Sequence, residues 1–180
     1  MTLTRSISIG VLAAVLASGA CAPIKVNSFV DQRADFSLYR TYAWADDTPR
    51  ATGDPRLDNN PFFHERLQSD ADNGLTARGF EKASSGSPDL MLHYHASFTQ
   101  EIDVARLDRE YEYDTSQDGG VPSVYEAGSV VLDFVDTRTN RLVWRGWAKG
   151  SMDGAINDQA YMEQRIDDVV ARVVATVPHR

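Results

Sequence analysis

The sequence predicts an α+β fold: an antiparallel or mixed β-sheet with two amphipathic helices packed on one face. Three observations carry this reading. The elements run in the order strands, helix, strand, hairpin, helix, which is not the strict alternation of a parallel α/β sheet. Each helical segment has a single apolar stripe, so each can cover only one layer. The strand segments alternate with period two.

Taken in order, Ile24 to Val30 is a first extended segment. Asp35 to Arg40 reads as a turn, followed by a strand over Thr41 to Ala45 rich in aromatic and β-branched residues. Residues 46–61, with Pro49, Gly53, Pro55 and Pro61, form a loop. Asn60 and Pro61 then supply an N-cap and a first helical residue. Phe63, Leu67, Ala71 and Leu75 recur every four residues along this helix. Gly79 ends it as a left-handed cap, with Phe80 placed for the hydrophobic contact of such an ending.

The cleanest strand follows a Ser/Gly/Pro loop at 84–88. Leu90, Leu92, Tyr94, Ala96 and Phe98 point one way, and Met91, His93, His95 and Ser97 the other. An acidic linking region spans about residues 99–125, in which Tyr111 and Tyr113 could extend the sheet as another edge strand. Val130 to Val135 and Leu142 to Ala148 then form a hairpin. The last helix runs from about Asp158 to Thr176, with Met162, Ile166, Val169, Val170, Val173 and Val177 on one face and Pro178 as its stop. On parity, Leu90, Leu92, Tyr94, Val130, Leu132, Phe134, Leu142 and Trp144 meet the helices. His93, His95, Asp133, Arg145 and Trp147 then lie on the opposite, open face.

The N-terminus carries a different signal. Arg5 precedes an apolar run from Ile7 to Ala17, too short to span about 30 Å of hydrocarbon. Ser18, Gly19 and Ala20 suit a peptidase groove, and the chain's single cysteine, Cys21, follows. The pattern resembles a bacterial lipoprotein signal over residues 1–20. That resemblance implies cleavage before Cys21 and a covalent lipid on that residue; residues 21–27 then read as a tether, and the length of the remainder suits a single domain over 28–180. An ordinary secretory cut after Ala20 is the alternative. Ser18 departs from the signal, which usually has a branched aliphatic residue there. Ala22, by analogy with Gram-negative sorting, directs the product to the outer membrane, facing the periplasm. A lone cysteine cannot form an internal disulfide, so the domain holds together by burial alone.

Lys+Arg number 18 against Asp+Glu 26, a formal net charge of −8. That balance argues against a nucleic-acid partner, which needs basic surface to displace counterions. It also disfavours attachment to anionic lipid through a basic patch.

Several stretches together resemble a family of bacterial envelope lipoproteins known as domain of unknown function 4136. They are Asp35, Phe36, Ser37, Tyr39, Thr41, Tyr42 and Trp44; Leu75, Gly79 and Phe80; Pro88, Asp89 and Leu90; and Asp136, Thr139 and Leu142 to Gly146. The likeness covers about residues 26–178. It implies a lipid-anchored α+β domain and brings no catalytic residues with it. The long acidic region is a departure from the family pattern.

No catalytic constellation is evident. There is no Gly-x-Ser-x-Gly turn, and Ser129 and Ser151 have no assignable histidine. Asp167 and Asp168 are adjacent on a helix and point to different faces. His93 and His95 share a strand face and could converge on a metal, but a third ligand from His64 or Asp133 depends on the fold. Asp114, Ser116 and Asp118 before Gly119 imitate half a calcium loop, whose twelfth position is Tyr125 in place of a glutamate. The expectation is therefore a non-enzymatic binding or structural module without a cofactor beyond the lipid at Cys21, meeting an envelope protein through its open sheet face. A carrier or sensor of a small apolar ligand held between sheet and helices is the alternative, and a His-x-His metal site the third reading.

Overall fold

A computed structural model of the chain describes residues 24–45, 52, 54–102 and 124–179. The strands are β1 (Lys25–Val30), β2 (Thr41–Trp44), β3 (Glu81–Lys82), β4 (Leu90–Ile102), β5 (Val124–Asp136) and β6 (Arg141–Ser151). The helices are α1 (Pro55–Asp58), α2 (Pro61–Ala77) and α3 (Gln159–Val174). The six strands form one sheet in the order β1-β6-β5-β4-β2-β3. It is mixed, because β2 runs parallel to β3 and β4 while the other pairs are antiparallel.

The α+β expectation holds, with α2 and α3 as its amphipathic pair. The stripe Phe63, Leu67, Ala71 and Leu75 is buried, as are Met162, Ile166, Val169, Val170 and Val173 of α3. Below them lie Leu92, Phe134 and Trp144, in register across three strands. At Gly146 a side chain would place its Cβ 2.9 Å from Val173 Cγ1, so glycine there lets α3 approach the sheet. Gly79 ends α2 with φ 90°, and Phe80 N donates back to Leu75 O at 3.1 Å.

The differences from the sequence reading are local. The expected loop at 46–61 contains the short helix α1, capped by Asp54, whose side chain accepts from Arg56 N. Asn60 sits at the N-cap of α2 but makes no side-chain capping bond. The paired strands β4 and β5 run past the expected start and end of the acidic linking region, to Ile102 and from Val124. Leu142 is the one misplaced core residue. A bulge between Phe134 and Val135 sets Phe134 opposite Trp144 but Val135 opposite Leu142, so Leu142 moves to the open face and Val143 is buried instead. Cys21, Tyr111, Tyr113 and the imitation calcium loop at 114–119 lie outside the described residues.

Polar groups fasten the elements at one corner of the sheet. Asp136 accepts from Tyr39 Oη at 2.9 Å, Arg138 N at 2.8 Å and Thr139 N at 3.1 Å. Burial pushes this carboxyl up, but those hydrogen bonds outweigh it and hold it below the usual range. Asp89 Oδ2 accepts from the backbone of Arg40 and Thr41 at 2.8 and 2.9 Å, locking β2 beside β4. On α2, Asp72 takes bonds from Tyr42 Oη (2.6 Å), Trp44 Nε1 (2.9 Å) and Lys82 Nζ (2.8 Å). These anchors are largely the residues that carry the family resemblance.

Candidate functional site

The face of the sheet opposite α2 and α3 carries no described element. Strand alternation sends every second side chain onto it, and the register arranges these side chains in rows across the strands. Met91, Val135 and Leu142 make an apolar row at one end. The next row is His93, Asp133, Arg145 and Phe29, followed by His95, Val131, Trp147 and Asn27. Ser97, Ser129, Lys149 and Lys25 complete the other end. The five residues singled out by parity thus fall in two adjacent rows.

At the centre, Arg145 grips Asp133 with two parallel bonds, Nε to Oδ1 at 2.7 Å and Nη2 to Oδ2 at 2.5 Å. The geometry is a bidentate fork, the strongest form of this pair. Asp133 is only 5% exposed although it sits on the open face, because its neighbours in the row close around it. Arg145 keeps 46% of its side chain exposed, and its bond to Asp133 pushes its pKa further up. Trp147 and His93 are half-buried and His95 is exposed. Phe29, at 49% exposure, is one of two large exposed apolar side chains among the described residues. Its place beside Arg145 was not legible, because the sequence does not show that β1 pairs with β6.

The third metal ligand is not brought into place. Both oxygens of Asp133 are engaged by Arg145. His64 lies on α2, on the other side of the sheet, with Nδ1 2.6 Å from Tyr94 Oη. Burial lowers the pKa of His64, and Nε2 has no hydrogen-bond partner among the described residues. No group of three or more His, Cys, Asp or Glu could hold a metal ion among the described residues.

Between sheet and helices, where an apolar ligand was considered, Phe63, Phe98, Met152, Arg165 and Ile166 line a cavity of about 20 Å³. That is room for about one water, against the hundreds of Å³ of a ligand pocket. Among the described residues no helix is long and apolar enough to cross a membrane.

Comparison with known proteins gives a family and a fold. The model of the family described as "Domain of unknown function (DUF4136)" matches residues 26–179. Among curated proteins nothing matches. A PDZ domain protein from Parabacteroides distasonis superposes with a TM-score of 0.52 at 14% identity, over 89% of this chain and 37% of that one. A PelC dodecamer from Paraburkholderia phytofirmans gives 0.50 at 13% identity, over 88% of this chain and 99% of that one. A DUF4136 family protein from Bacteroides thetaiotaomicron gives 0.43 at 14% identity, over 80% and 97%. The first two likenesses are of fold alone, and the third is too loose to add to them.

Proposed function

The chain belongs to the DUF4136 family, a domain without an assigned activity, and from that premise we propose that it is an envelope lipoprotein whose uncovered sheet face binds a protein partner without catalysing a reaction. Acyl chains on Cys21 fix it to the outer membrane, and the domain faces the periplasm. Acyl burial is worth about 0.8 kcal/mol per methylene, so several chains together hold durably where one would not.

One observation carries the binding reading. The two long helices cover one face of the sheet, while the other presents Phe29 and Trp147 around an ion pair already formed. Aromatic side chains and arginine are the residue types that anchor protein interfaces. Arg145 and Asp133 order each other before a partner arrives, which lowers the entropy lost on docking.

The test is site-specific photo-crosslinking in intact cells. A crosslinker at His95, on the face and away from the β1 edge, yields one discrete adduct, and a crosslinker at Gln164 on α3 does not. Trp147→Ala and Arg145→Ala abolish that adduct. An adduct pattern unchanged by both substitutions overturns the reading. Growth with labelled palmitate tests the anchor separately: label is incorporated by the native chain and lost in Cys21→Ser.

A further inference from the structure

The sheet ends at β1, and among the described residues no strand lies on its outer side. An edge like this offers unpaired backbone donors and acceptors to another chain. The direction of those groups follows from one bond. Asp31 N donates to Val143 O across β6 at 2.9 Å. Along an antiparallel strand the N–H and C=O of one residue point the same way and successive residues alternate. Lys25, Asn27 and Phe29 therefore bond toward β6, and Val26, Ser28 and Val30 present their backbone groups outward. The segment contains no proline and no bulge, and its one charge, Lys25, stands at its end and leaves the middle open.

The sequence around β1 is partly complementary to its own reverse in the register those groups require. Two copies related by a two-fold axis at Ser28 set Ser28 against Ser28, Val26 against Val30 and Asn27 against Phe29. Lys25 then falls opposite Asp31 of the second copy, the acidic residue that already accepts from Arg33 and Arg141. Valine meets valine, serine meets serine, Asn27 lies against the ring of Phe29, opposite charges meet at both ends, and the outward-pointing residues face one another as hydrogen-bonded pairs. We infer that the chain forms a two-fold dimer by antiparallel pairing of β1 with β1 of a second copy, centred on Ser28, which joins the two sheets into one.

Two consequences fit the rest of the molecule. The axis stands normal to the sheet, so both uncovered faces lie on the same side and become continuous. The two Lys25 residues lie about 20 Å apart along the seam, and Cys21, four residues earlier, reaches at most about 14 Å from each. Both anchors can thus enter one membrane. The inference concerns the edge of the sheet, and it stands whether or not the face binds a partner.

The register gives a sharp test by oxidative cross-linking of the full chain in native membranes. Hydrogen-bonded pairs bring Cα atoms to about 5.5 Å, within disulfide range. Ser28→Cys therefore yields a covalent dimer, and the parent chain, with Cys21 alone, does not. In Asn27→Cys the two thiol-bearing residues are diagonal, about 8 Å apart, beyond bridging distance. The purified chain has a dimer mass, and Ser28→Lys, which sets two ammonium groups together at an exposed position, weakens the dimer at least about tenfold while the thermal melt of the monomer stays in place. A monomer mass for the parent chain overturns the inference. So does a dimer indifferent to Ser28→Lys, or cross-linking at Asn27→Cys as fast as at Ser28→Cys.

Discussion

Two carboxylates three residues apart on β5 make the most instructive contrast in this molecule. Asp136 is 3% exposed and Asp133 is 5% exposed, so burial does not separate them. Their donors do. Asp136 is held by the turn amides of Arg138 and Thr139 and by a tyrosine hydroxyl from a distant segment, with Arg138 Nη2 at 3.5 Å beside it, so it ties the turn to the rest of the fold. Asp133 is held by the side chain of Arg145 alone among the bonds described, and that side chain is nearly half exposed. A carboxylate bound by backbone is part of the architecture. One bound by a single half-exposed cation on an uncovered surface belongs to what the domain offers a partner. The corner around Asp136, Asp89 and Asp72 therefore builds the domain, and the face around Asp133 is what the domain presents.

The largest expected effect breaks the corner. Asp136→Ala leaves the Tyr39 hydroxyl and two backbone donors without acceptors, and urea denaturation should show a loss of about 3 kcal/mol. Photo-crosslinking on the face should survive in whatever fraction remains folded. Asp89→Ala frees the amides of Arg40 and Thr41 and should cost about 2 kcal/mol, with the same indifference of the face. The opposite split is expected from Trp147→Ala. Its partly buried ring contributes about 2 kcal/mol to folding, while partner capture is lost. If Trp147→Ala instead unfolds the domain as Asp136→Ala does, the division between architecture and presentation fails.

A smaller effect comes from the helix layer and sharpens the comparison through pH. Arg66 on α2 donates to Asp70 at 3.2 Å and to Asp167 of α3 at 2.9 and 2.8 Å. Burial, with the hydrogen bond and charge of Asp167 next, pushes Asp70 up to about 6. A folded-state pKa above the unfolded value near 3.8 means that protonation favours the fold. This pair therefore adds stability as pH falls through about 6 toward 4, whereas Asp136, held low, withdraws its contribution only at pH below its unfolded value. Denaturant midpoints measured from pH 7 to pH 4.5 should rise less, or fall more, in Asp70→Asn than in the parent. Equal slopes in the two proteins would exclude the shared proton. His64 works in the other direction: burial opposes its charged form, so its contribution is lost as pH drops below 6.5.

Much of this was legible from residue order because the signals were local. Period-four stripes placed both long helices, and period-two alternation placed the faces of β4 and most of the hairpin. Gly79 and Phe80 marked the end of α2 through a conformation that glycine alone adopts cheaply. The remainder depended on contacts distant in sequence. The partner of β1 is set by packing of Val26 and Val30 against the core, which nothing inside six residues announces. The bulge at Val143 escaped because parity assumes that neither strand has an extra residue. In the candidate site, His93, His95, Asp133, Arg145 and Trp147 came out on the expected face, yet the grip of Arg145 on Asp133 and the place of Phe29 did not. The resemblance itself pointed mostly elsewhere: Asp35, Tyr39, Thr41, Asp89 and Asp136 serve caps and clamps.

The extra residue in β6 has an effect beyond its own turn. It sends Leu142, in place of Val143, out beside Val135 and Met91, so the head of the surface stays oily, while the tail ends in Lys149 and Lys25. A surface graded in this manner has a heading. A visitor whose own polarity ran the reverse way would meet lysine with grease and grease with lysine, so the grading settles which way round the visitor must lie.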